Sequence, residues 1–459
     1  MKKIYLDWNI INHIDEMPEL YDFILNNQNH FVFVYSPAHF SDLMRSVKGD
    51  NYNEFFEKDI ERLEQICETH LMKYSNNKMN LHRCPPSEFL EKEGKDYPLF
   101  SKLFSWDFYK KNLAIGEIDL FGILSESLKT IEFGQVALPL IGSFSNGLEF
   151  FQCLLRFLEG VFSDEKETKK LKSKITENIP EKEITQIYNS TPQMVIDTIN
   201  SFFAKHGIKE GLKEIIVNGI SEKQKGNDML LFQTLYLSLD FVRYYSDKRN
   251  LWNIIADAEH AYYGSYCDVL VTGDNRMMHK TEAVYSYCGI TTEIVGKQDV
   301  LNYLKNTIAN ENNIEEPLKE VLYDQHIPTE FDEDSVYCKW TRLKNPFWSY
   351  FNKLEFFLNL STKQDWFTFS RKREFEKCTF YTETDKFMEI MKSVFRKPEI
   401  IDAFETEFVE KYKANDSSAL FSFCFSNDVL ATLGVTKEDN MLVPIMDLVC
   451  YGKDKSLSA

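Results

Sequence analysis

Short apolar runs alternate with amphipathic segments in two separate parts of the chain. In the first part, residues 4–6 (Ile-Tyr-Leu) and 31–35 (Phe-Val-Phe-Val-Tyr) are apolar and β-branched, which predicts strands. A helical pattern occupies residues 10–26 between them. After the second run, Ser36 and Pro37 are the cap and first-turn proline typical of a helix start. This order of elements favours an α/β fold.

The second part repeats this alternation at residues 253–306. Residues 253–263 follow a helical pattern with apolar side chains on one face, and Gly264 interrupts it. Residues 269–271 (Val-Leu-Val) form an uninterrupted apolar run, which is the pattern of a buried parallel strand. The elements predicted after it are a helix over 280–288, a strand over 291–295 and a helix over 299–306.

A long segment separates these two parts. Residues 51–249 follow a mostly helical pattern and predict a large helical insertion. Within it, the charged run at residues 165–174 has two interpretations, a solvated helix face or a contact to a nucleic-acid backbone. The most apolar stretch, residues 138–162, contains charged side chains and a proline, so it predicts a buried helix rather than a membrane span.

The carboxyl-terminal part has a different composition. Residues 310–317 are polar and acidic and predict a linker. Residues 318–459 are rich in Trp and Phe and predict an accessory domain of α+β or helical type. The predicted organisation is therefore a discontinuous α/β domain of residues 1–50 and 250–308, the insertion over 51–249, and this accessory domain.

Charge and cysteine usage narrow the classes of function. The net charge of −18, from 53 basic and 71 acidic residues, argues against a surface that coats nucleic acid. It does not argue against a metal-dependent nuclease, which needs clustered acids and only local basic contacts. The nine cysteines show no CxxC spacing and predict reduced thiols in a cytoplasmic protein.

Four aspartates occupy comparable places in the predicted elements. Asp7 ends the first strand, and Asp42 lies about one and a half turns into the helix after the second. Asp257 lies on the helix before the third strand, and Asp274 follows that strand. Because ligands bind at the carboxyl edge of a parallel sheet, we expect these carboxylates around one pocket, where their repulsion raises at least one pKa without metal.

Carboxylates in this arrangement suit hard divalent cations. Mg²⁺ and Mn²⁺ prefer oxygen ligands, and the four aspartates supply them. One or two such ions activate a water molecule and stabilise the leaving oxygen of a phosphodiester. The predicted cofactor is therefore Mg²⁺ or Mn²⁺.

These motifs resemble the PIN-like nuclease superfamily. The resemblance is carried by residues 4–7 (Ile-Tyr-Leu-Asp), 36–42 (Ser-Pro-Ala-His-Phe-Ser-Asp) and 257–274, which end in Val-Thr-Gly-Asp and look like a bacterial subgroup with large insertions. It implies an α/β/α sandwich in which the four aspartates bind metal and cut RNA or structured DNA. The family usually has Glu where this chain has Asp42, which reaches one methylene less far.

Four further residues are candidates for supporting roles. Asn9 and Thr272 either hold an acid or a phosphate oxygen in place or only form turns. Glu259 is either an auxiliary ligand or an acid that points away, since it lies two positions after Asp257. His260 is either a hydrogen-bonded orienting residue or a metal ligand.

The predicted function is that of a metal-dependent endoribonuclease acting on single-stranded or structured RNA by two-metal-type chemistry. RNA is favoured over duplex DNA because the acidic chain shows no long basic stripe, whereas single strands need few basic contacts and stack on aromatic side chains. Two alternatives stay open: a PIN-like nuclease acting on DNA, and a catalytically degenerate scaffold that binds a protein or RNA partner. A haloacid-dehalogenase-type phosphatase fits poorly because Asn9 stands where its second aspartate would be.

The accessory parts predict regulation of this activity. An unrestrained ribonuclease is toxic, so the helical insertion or the carboxyl-terminal domain is expected to bind a regulatory protein or a second copy of the chain. By analogy with the family alone, this suggests a toxin or an anti-phage defence effector. No membrane partner is expected.

Overall fold

The computed structural model describes residues 2–46, 52–93, 164–219 without 178, 226–309 and 315–323. It also describes short pieces between 114 and 162 and, with gaps, the region between 329 and 451. In chain order the strands are β1 (Lys2–Leu6), β2 (Phe31–Val34), β3 (His70–Ser75), β4 (Lys78–Arg83), β5 (Ala114–Ile115), β6 (Ile118–Asp119), β7 (Glu132–Leu138), β8 (Gly142–Asn146), β9 (Val269–Thr272), β10 (Glu293–Gly296), β11 (Thr329–Asp332), β12 (Ser335–Thr341), β13 (Lys353–Asn359), β14 (Gln364–Ser370), β15 (Leu420–Ser426), β16 (Val429–Glu438) and β17 (Met441–Tyr451).

The helices are distributed over the whole described chain. Two 3-10 turns, Ile14–Glu16 and Gln28–His30, accompany them near the amino end. In chain order the α-helices are α1 (Trp8–Asn12), α2 (Pro18–Asn26), α3 (Pro37–Ser46), α4 (Tyr52–Cys67), α5 (Pro86–Lys92), α6 (Glu165–Thr176), α7 (Glu181–Tyr188), α8 (Val195–Lys205), α9 (Leu212–Gly219), α10 (Asp228–Phe241), α11 (Leu251–Gly264), α12 (Asn275–Cys288), α13 (Val300–Ala309), α14 (Glu315–Tyr323) and α15 (Pro398–Ala414).

The two parts of the chain that alternate strands and helices meet in one parallel sheet. Its strand order is β10–β9–β1–β2, and every neighbouring pair is parallel. The register places Leu6 opposite Val271, so β1 and β9 end at the same edge. The prediction of an α/β fold with a parallel sheet is confirmed.

Side chains on both faces of this sheet are buried, as the uninterrupted apolar runs require. On one face, Tyr5, Val34 and Leu270 join a core with α8 to α12. On the other face, Leu6 and Val271 join a core with α1, α2, α4 and α13. The sheet is therefore the middle of three layers, and ligands of such sheets bind at the carboxyl ends of the strands.

Some elements differ from the sequence pattern. The helix predicted over 10–26 is broken into α1, a 3-10 turn and α2, because Pro18 begins a new helix in its first turn. The mostly helical segment 51–249 also contains strands β3 to β8. Within the stretch predicted as a buried helix, residues 142–146 form β8, whereas the described residues between 149 and 162 are helical.

The carboxyl-terminal part contains a second, larger sheet. Seven antiparallel strands follow the order β11–β12–β13–β14–β17–β16–β15, and α15 contributes side chains to their core. The described residues there are thus of the α+β type, one of the two predicted alternatives. α14 begins at Glu315, inside the stretch predicted as a linker. Among the described helices, none is both long and apolar enough to cross a membrane.

We predict that Gly264→Ala destabilises the protein by about 1–3 kcal/mol. A Cβ at Gly264 would lie 2.9 Å from Leu270 Cδ1 and 3.2 Å from Leu270 Cβ, so α11 would have to move away from β9. The midpoint of urea unfolding measures the effect. Gly219→Ala is the matched control, because no atom of the described residues outside its own helix lies within 4 Å of the added Cβ, so the midpoint should stay or rise slightly. Equal midpoints for both variants would contradict the tight α11–β9 contact.

Candidate metal centre

The four predicted aspartates lie at the carboxyl edge of the parallel sheet but form two groups instead of one. Asp7 and Asp42 lie with His260, and their ligand atoms are all within 4.8 Å of one another. Asp257 and Asp274 lie with Asp247, and the ligand atoms of these three residues are also within 4.8 Å of one another. Each group could hold a metal ion. The four predicted aspartates are therefore divided between two groups of donors, and the expectation that they surround one pocket stays a prediction.

The donor atoms of both groups fit a divalent cation. Ligands on opposite sides of a Mg²⁺ ion lie about 4.2 Å apart, since each is about 2.1 Å from the ion. Groups of three donors within 4.8 Å need only small side-chain movements to reach that spacing. Carboxylate oxygens are the ligands that Mg²⁺ and Mn²⁺ prefer. The chemistry of the donors therefore agrees with the predicted cofactors.

Asp7 is held in place by the turns that follow β1 and β9. Its backbone N–H donates to the Val271 carbonyl at 2.9 Å, which continues the pairing of the two strands. Its Oδ2 accepts hydrogen bonds from Thr272 Oγ1 at 2.8 Å and from Asn9 Nδ2. Asn9 Oδ1 in turn accepts from the Gly273 N–H at 3.1 Å. Asn9 and Thr272 therefore hold an acid in place, which was one of the two alternatives.

His260 positions Asp42. Its Nε2 lies 2.9 Å from Asp42 Oδ2, and a carboxylate only accepts, so Nε2 carries the proton. Its Nδ1 lies 2.8 Å from the Tyr5 hydroxyl oxygen, and that oxygen lies 2.7 Å from Ser36 Oγ. This chain supports the orienting role for His260, with its Nδ1 3.9 Å from Asp7 Oδ1.

A second buried histidine fixes the start of α3. His39 Nε2 donates to the Leu6 carbonyl at 2.8 Å, and its Nδ1 accepts from the Ser36 N–H at 3.1 Å. Burial, and the nearby His260, lower the pKa of His39 to about 3, so the ring is neutral. This pair of hydrogen bonds ties the helix that carries Asp42 to the end of β1. The Ser-x-x-His spacing at 36–39, one helical turn, was a signal for it.

The second group surrounds the side chain of Arg249. Its Nη2 donates to Asp257 Oδ2 at 2.6 Å and to Asp274 Oδ2 at 3.3 Å, and it also contacts Asp247. Arg249 Nε donates to Asp247 Oδ2 at 2.8 Å. Asp274 also caps α12, because its Oδ1 accepts from the Arg276 N–H at 2.8 Å. Asp274 thus offers one oxygen to the helix and the other to a cation.

Burial sets the proton affinity of these acids more than mutual repulsion does. It raises the pKa of Asp257 to about 7, although Arg249 opposes the shift, while Asp7 and Asp274 add to it. Burial also raises the pKa of Asp7. Burial would also raise the pKa of Asp247. The hydrogen bonds and charge of Arg249 outweigh this effect, so the pKa of Asp247 is lowered to about 2. The predicted rise in the pKa of at least one aspartate is therefore present. Desolvation contributes more to this rise than repulsion between the carboxylates does.

Sequence patterns missed a buried ion cluster that holds Asp247. Asp240 is fully buried, and its carboxylate contacts the ammonium groups of Lys172 and of Lys280, the latter at 2.7 Å. Asp240 Oδ2 also accepts from the Asp247 N–H at 2.9 Å. Lys172 belongs to the charged run at 165–174, so that face of α6 is not wholly solvated. No periodic signal marks Asp247 or Arg249, which lie in an irregular segment before α11.

Two other acids of this region lie outside both groups. Glu259 accepts a hydrogen bond from Gln233 Nε2 at 3.3 Å, which agrees with its predicted direction away from Asp257. Asp268 lies at the amino end of β9, where its Oδ2 accepts from the Lys3 N–H at 2.7 Å. Neither contact brings a carboxylate to the carboxyl edge of the sheet, where the two groups lie.

A polar pocket of about 540 Å³ adjoins the second group at the same edge of the sheet. It lies over the ends of β1, β9 and β10 and includes the first turn of α12. Its basic side chains contrast with the acids beside them. The lining residues are Asn9, His13, Gly273, Asp274, Asn275, Arg276 and Lys297.

Comparison of the chain with known protein families, curated proteins and solved structures finds no match. The functional interpretation therefore depends on the motifs and on the geometry of the two acidic groups.

We predict that Asp257 makes the metal-free protein less stable as the pH rises from about 4 to about 7. The unfolded carboxyl has a pKa of about 3.9, whereas burial raises it to about 7 in the folded state. Between these values the folded state binds more protons, so this group favours folding at low pH and loses that contribution as the pH rises through about 7. The slope is at most about 1.4 kcal/mol per pH unit.

Thermal unfolding of Asp257→Asn and wild type, from about pH 5 to about pH 8, measures this slope. The variant should lose the part of the slope that Asp257 causes. Asp22→Asn, a change of an exposed acid on α2, is the control and should follow the wild type. Parallel curves for all three proteins would refute the raised pKa.

Proposed function

We propose that the protein is a metal-dependent endoribonuclease of the PIN-like type, with residues 1–50 and 250–308 as its nuclease domain. The observation that carries this proposal is the arrangement of Asp7, Asp42, Asp257 and Asp274 at one edge of a parallel sheet. They follow the strands and helices in the order of the three PIN-like motifs. Because these acids come from distant segments, their assembly at the edge where ligands bind favours a site over chance.

The side chains around Asp7 and Asp42 have the roles that a metal-binding pair requires. Asn9 and Thr272 fix one oxygen of Asp7, which leaves Oδ1 for a cation. His260 fixes Asp42 from the buried side through its own bond to Tyr5. A bound Mg²⁺ or Mn²⁺ supplies an activated water and charge stabilisation for phosphodiester hydrolysis. Rigid support of this kind keeps the two carboxylates together despite their repulsion.

The pocket beside the acids supports a polyanionic substrate. Arg276 and Lys297 line it and bring two positive charges to this end of the sheet. In a chain with a net charge of −18, these few cations favour a strand held by local phosphate contacts over a duplex bound along a basic surface. Single-stranded or looped RNA is therefore the proposed substrate.

We predict that purified protein cuts labelled single-stranded RNA in the presence of Mn²⁺ and not in the presence of chelator. Asp7→Asn should lower the rate at least about 100-fold, because it removes a ligand charge that no neighbouring group replaces. Asp22→Asn on α2 is the matched control and should cut at the wild-type rate. Single-stranded DNA and duplex DNA are tested in parallel.

Cutting that survives chelation, or survives Asp7→Asn, would refute the metal-dependent mechanism. Cutting of DNA alone would keep the site and overturn the choice of RNA. Binding of RNA with no cutting in any metal would favour the scaffold alternative.

We predict that Lys297→Ala weakens RNA binding through a lost phosphate contact. The slope of log K against log salt concentration should fall by about 0.7, the value for one contact to a single strand. Fluorescence anisotropy with labelled RNA and chelator measures the slope without cleavage. Lys305→Ala is the matched control, since Lys305 lies on α13, pairs with Glu19 and does not line the pocket. Equal slopes for the two variants would show that RNA does not contact Lys297 in the pocket.

A further inference from the structure

Arg249 occupies the centre of the second acidic group. Its Nη2 contacts a carboxylate oxygen of each of the three aspartates, with 2.6 Å to Asp257 and 3.3 Å to Asp274. A guanidinium stays protonated at any ordinary pH, so these acids already surround one positive charge. A divalent ion coordinated by the same three oxygens would need the volume that Nη2 fills. The guanidinium of Arg249 and a divalent ion at these three oxygens therefore exclude each other.

The segment that carries Arg249 holds the guanidinium firmly. Asp247 Oδ1 accepts from the Arg249 backbone N–H at 2.9 Å while its Oδ2 accepts from Nε, so one carboxylate binds both ends of the residue. The Asp247 side chain is itself fully buried, and its backbone N–H is anchored to Asp240. Immediately after Arg249, Asn250 caps α11 through the Asn253 N–H. These contacts leave the side chain little freedom to move out of the group.

Arg249 is nevertheless accessible from the outside. Its side chain is 39% exposed, whereas Asp257 and Asp274 are 15% and 28% exposed. Asp274 also lines the basic pocket proposed to receive RNA. The guanidinium of Arg249 therefore contacts a residue of that pocket, at 3.3 Å from Asp274 Oδ2, although Arg249 does not itself line the pocket. Guanidinium groups bind phosphate oxygens through their planar donor fork.

We propose that Arg249 is a built-in cation that takes the second metal position, so that the protein binds a single divalent ion, at Asp7 and Asp42. This inference rests on the proposed nuclease function and changes its chemistry from a two-metal to a one-metal type. Arg249 supplies the second positive charge, and its exposed face contacts the phosphate of the substrate. The second acidic group then positions an arginine instead of coordinating an ion.

The number of Mn²⁺ ions bound per chain tests this inference without any activity measurement. Calorimetric titration of the full metal-free chain should give one ion for wild type and two for Arg249→Met, which frees three acids for an ion. Arg276→Met is the matched control: its guanidinium lies 3.7 Å from Asp247 but forms no ion pair with Asp257 or Asp274, so the count should stay at one. Arg249→Lys keeps the charge and should also bind one ion.

Variants of the acids keep the test decisive if Arg249→Met is poorly folded. In the wild-type background, Asp274→Asn should still bind one Mn²⁺ ion, because Asn also caps α12 and the ion lies elsewhere. Asp7→Asn should lose the bound ion. Thermal unfolding gives a second measurement: Mn²⁺ should raise the midpoint of Arg249→Met more than that of wild type, because it binds two sites instead of one.

Two bound ions in wild type, or one in well-folded Arg249→Met, would overturn the inference. If the wild type binds two ions and cuts RNA, the proposed function stands and only the role of Arg249 falls. If no variant binds Mn²⁺, both fall.

Discussion

The parallel pairing of β1 with β9 is the interaction on which the candidate site depends. It aligns Leu6 with Val271, so both strands end at one edge although they lie far apart in the chain. Asp7 and Thr272 then come within 2.8 Å of each other. The helices on both sides of the sheet follow from the same pairing, because a fully buried parallel sheet must be covered on both faces. Without this register, the acids would be isolated side chains on unrelated turns.

Placing carboxylates at a half-buried edge has an electrostatic cost that the structure offsets in two ways. Around Asp7 and Asp42 the offset comes from hydrogen bonds with Thr272, Asn9 and His260, which orient the acids. Around Asp257 it comes from the charge of Arg249. The first arrangement leaves negative charge available for a metal ion, whereas the second largely satisfies it within the chain. The two groups of acids therefore differ in how much negative charge they can offer to a metal ion.

The charge of the pocket differs from that of the chain as a whole. The chain is acidic overall, yet the pocket next to Asp274 is lined by Arg276 and Lys297. A phosphate backbone in this pocket would meet favourable charge only close to the site, since the rest of the surface repels it on average. Under the proposed function, this distribution would favour flexible strands that can enter the pocket over a rigid duplex.

The sequence by itself determined the strands that form the centre of the fold and the four predicted aspartates, because apolar runs and their bounding acids are local patterns. It also indicated the direction in which Glu259 points, from helical spacing alone. Only the tertiary structure decided that the acids divide into two groups, that His260 orients Asp42, and that Arg249 lies among Asp247, Asp257 and Asp274. Those contacts join residues from irregular segments and distant helices, where no periodicity relates one position to another. The buried pair of Lys280 and Asp240 was not predicted either, because charged residues are usually exposed and sequence spacing does not show that these two pair with each other.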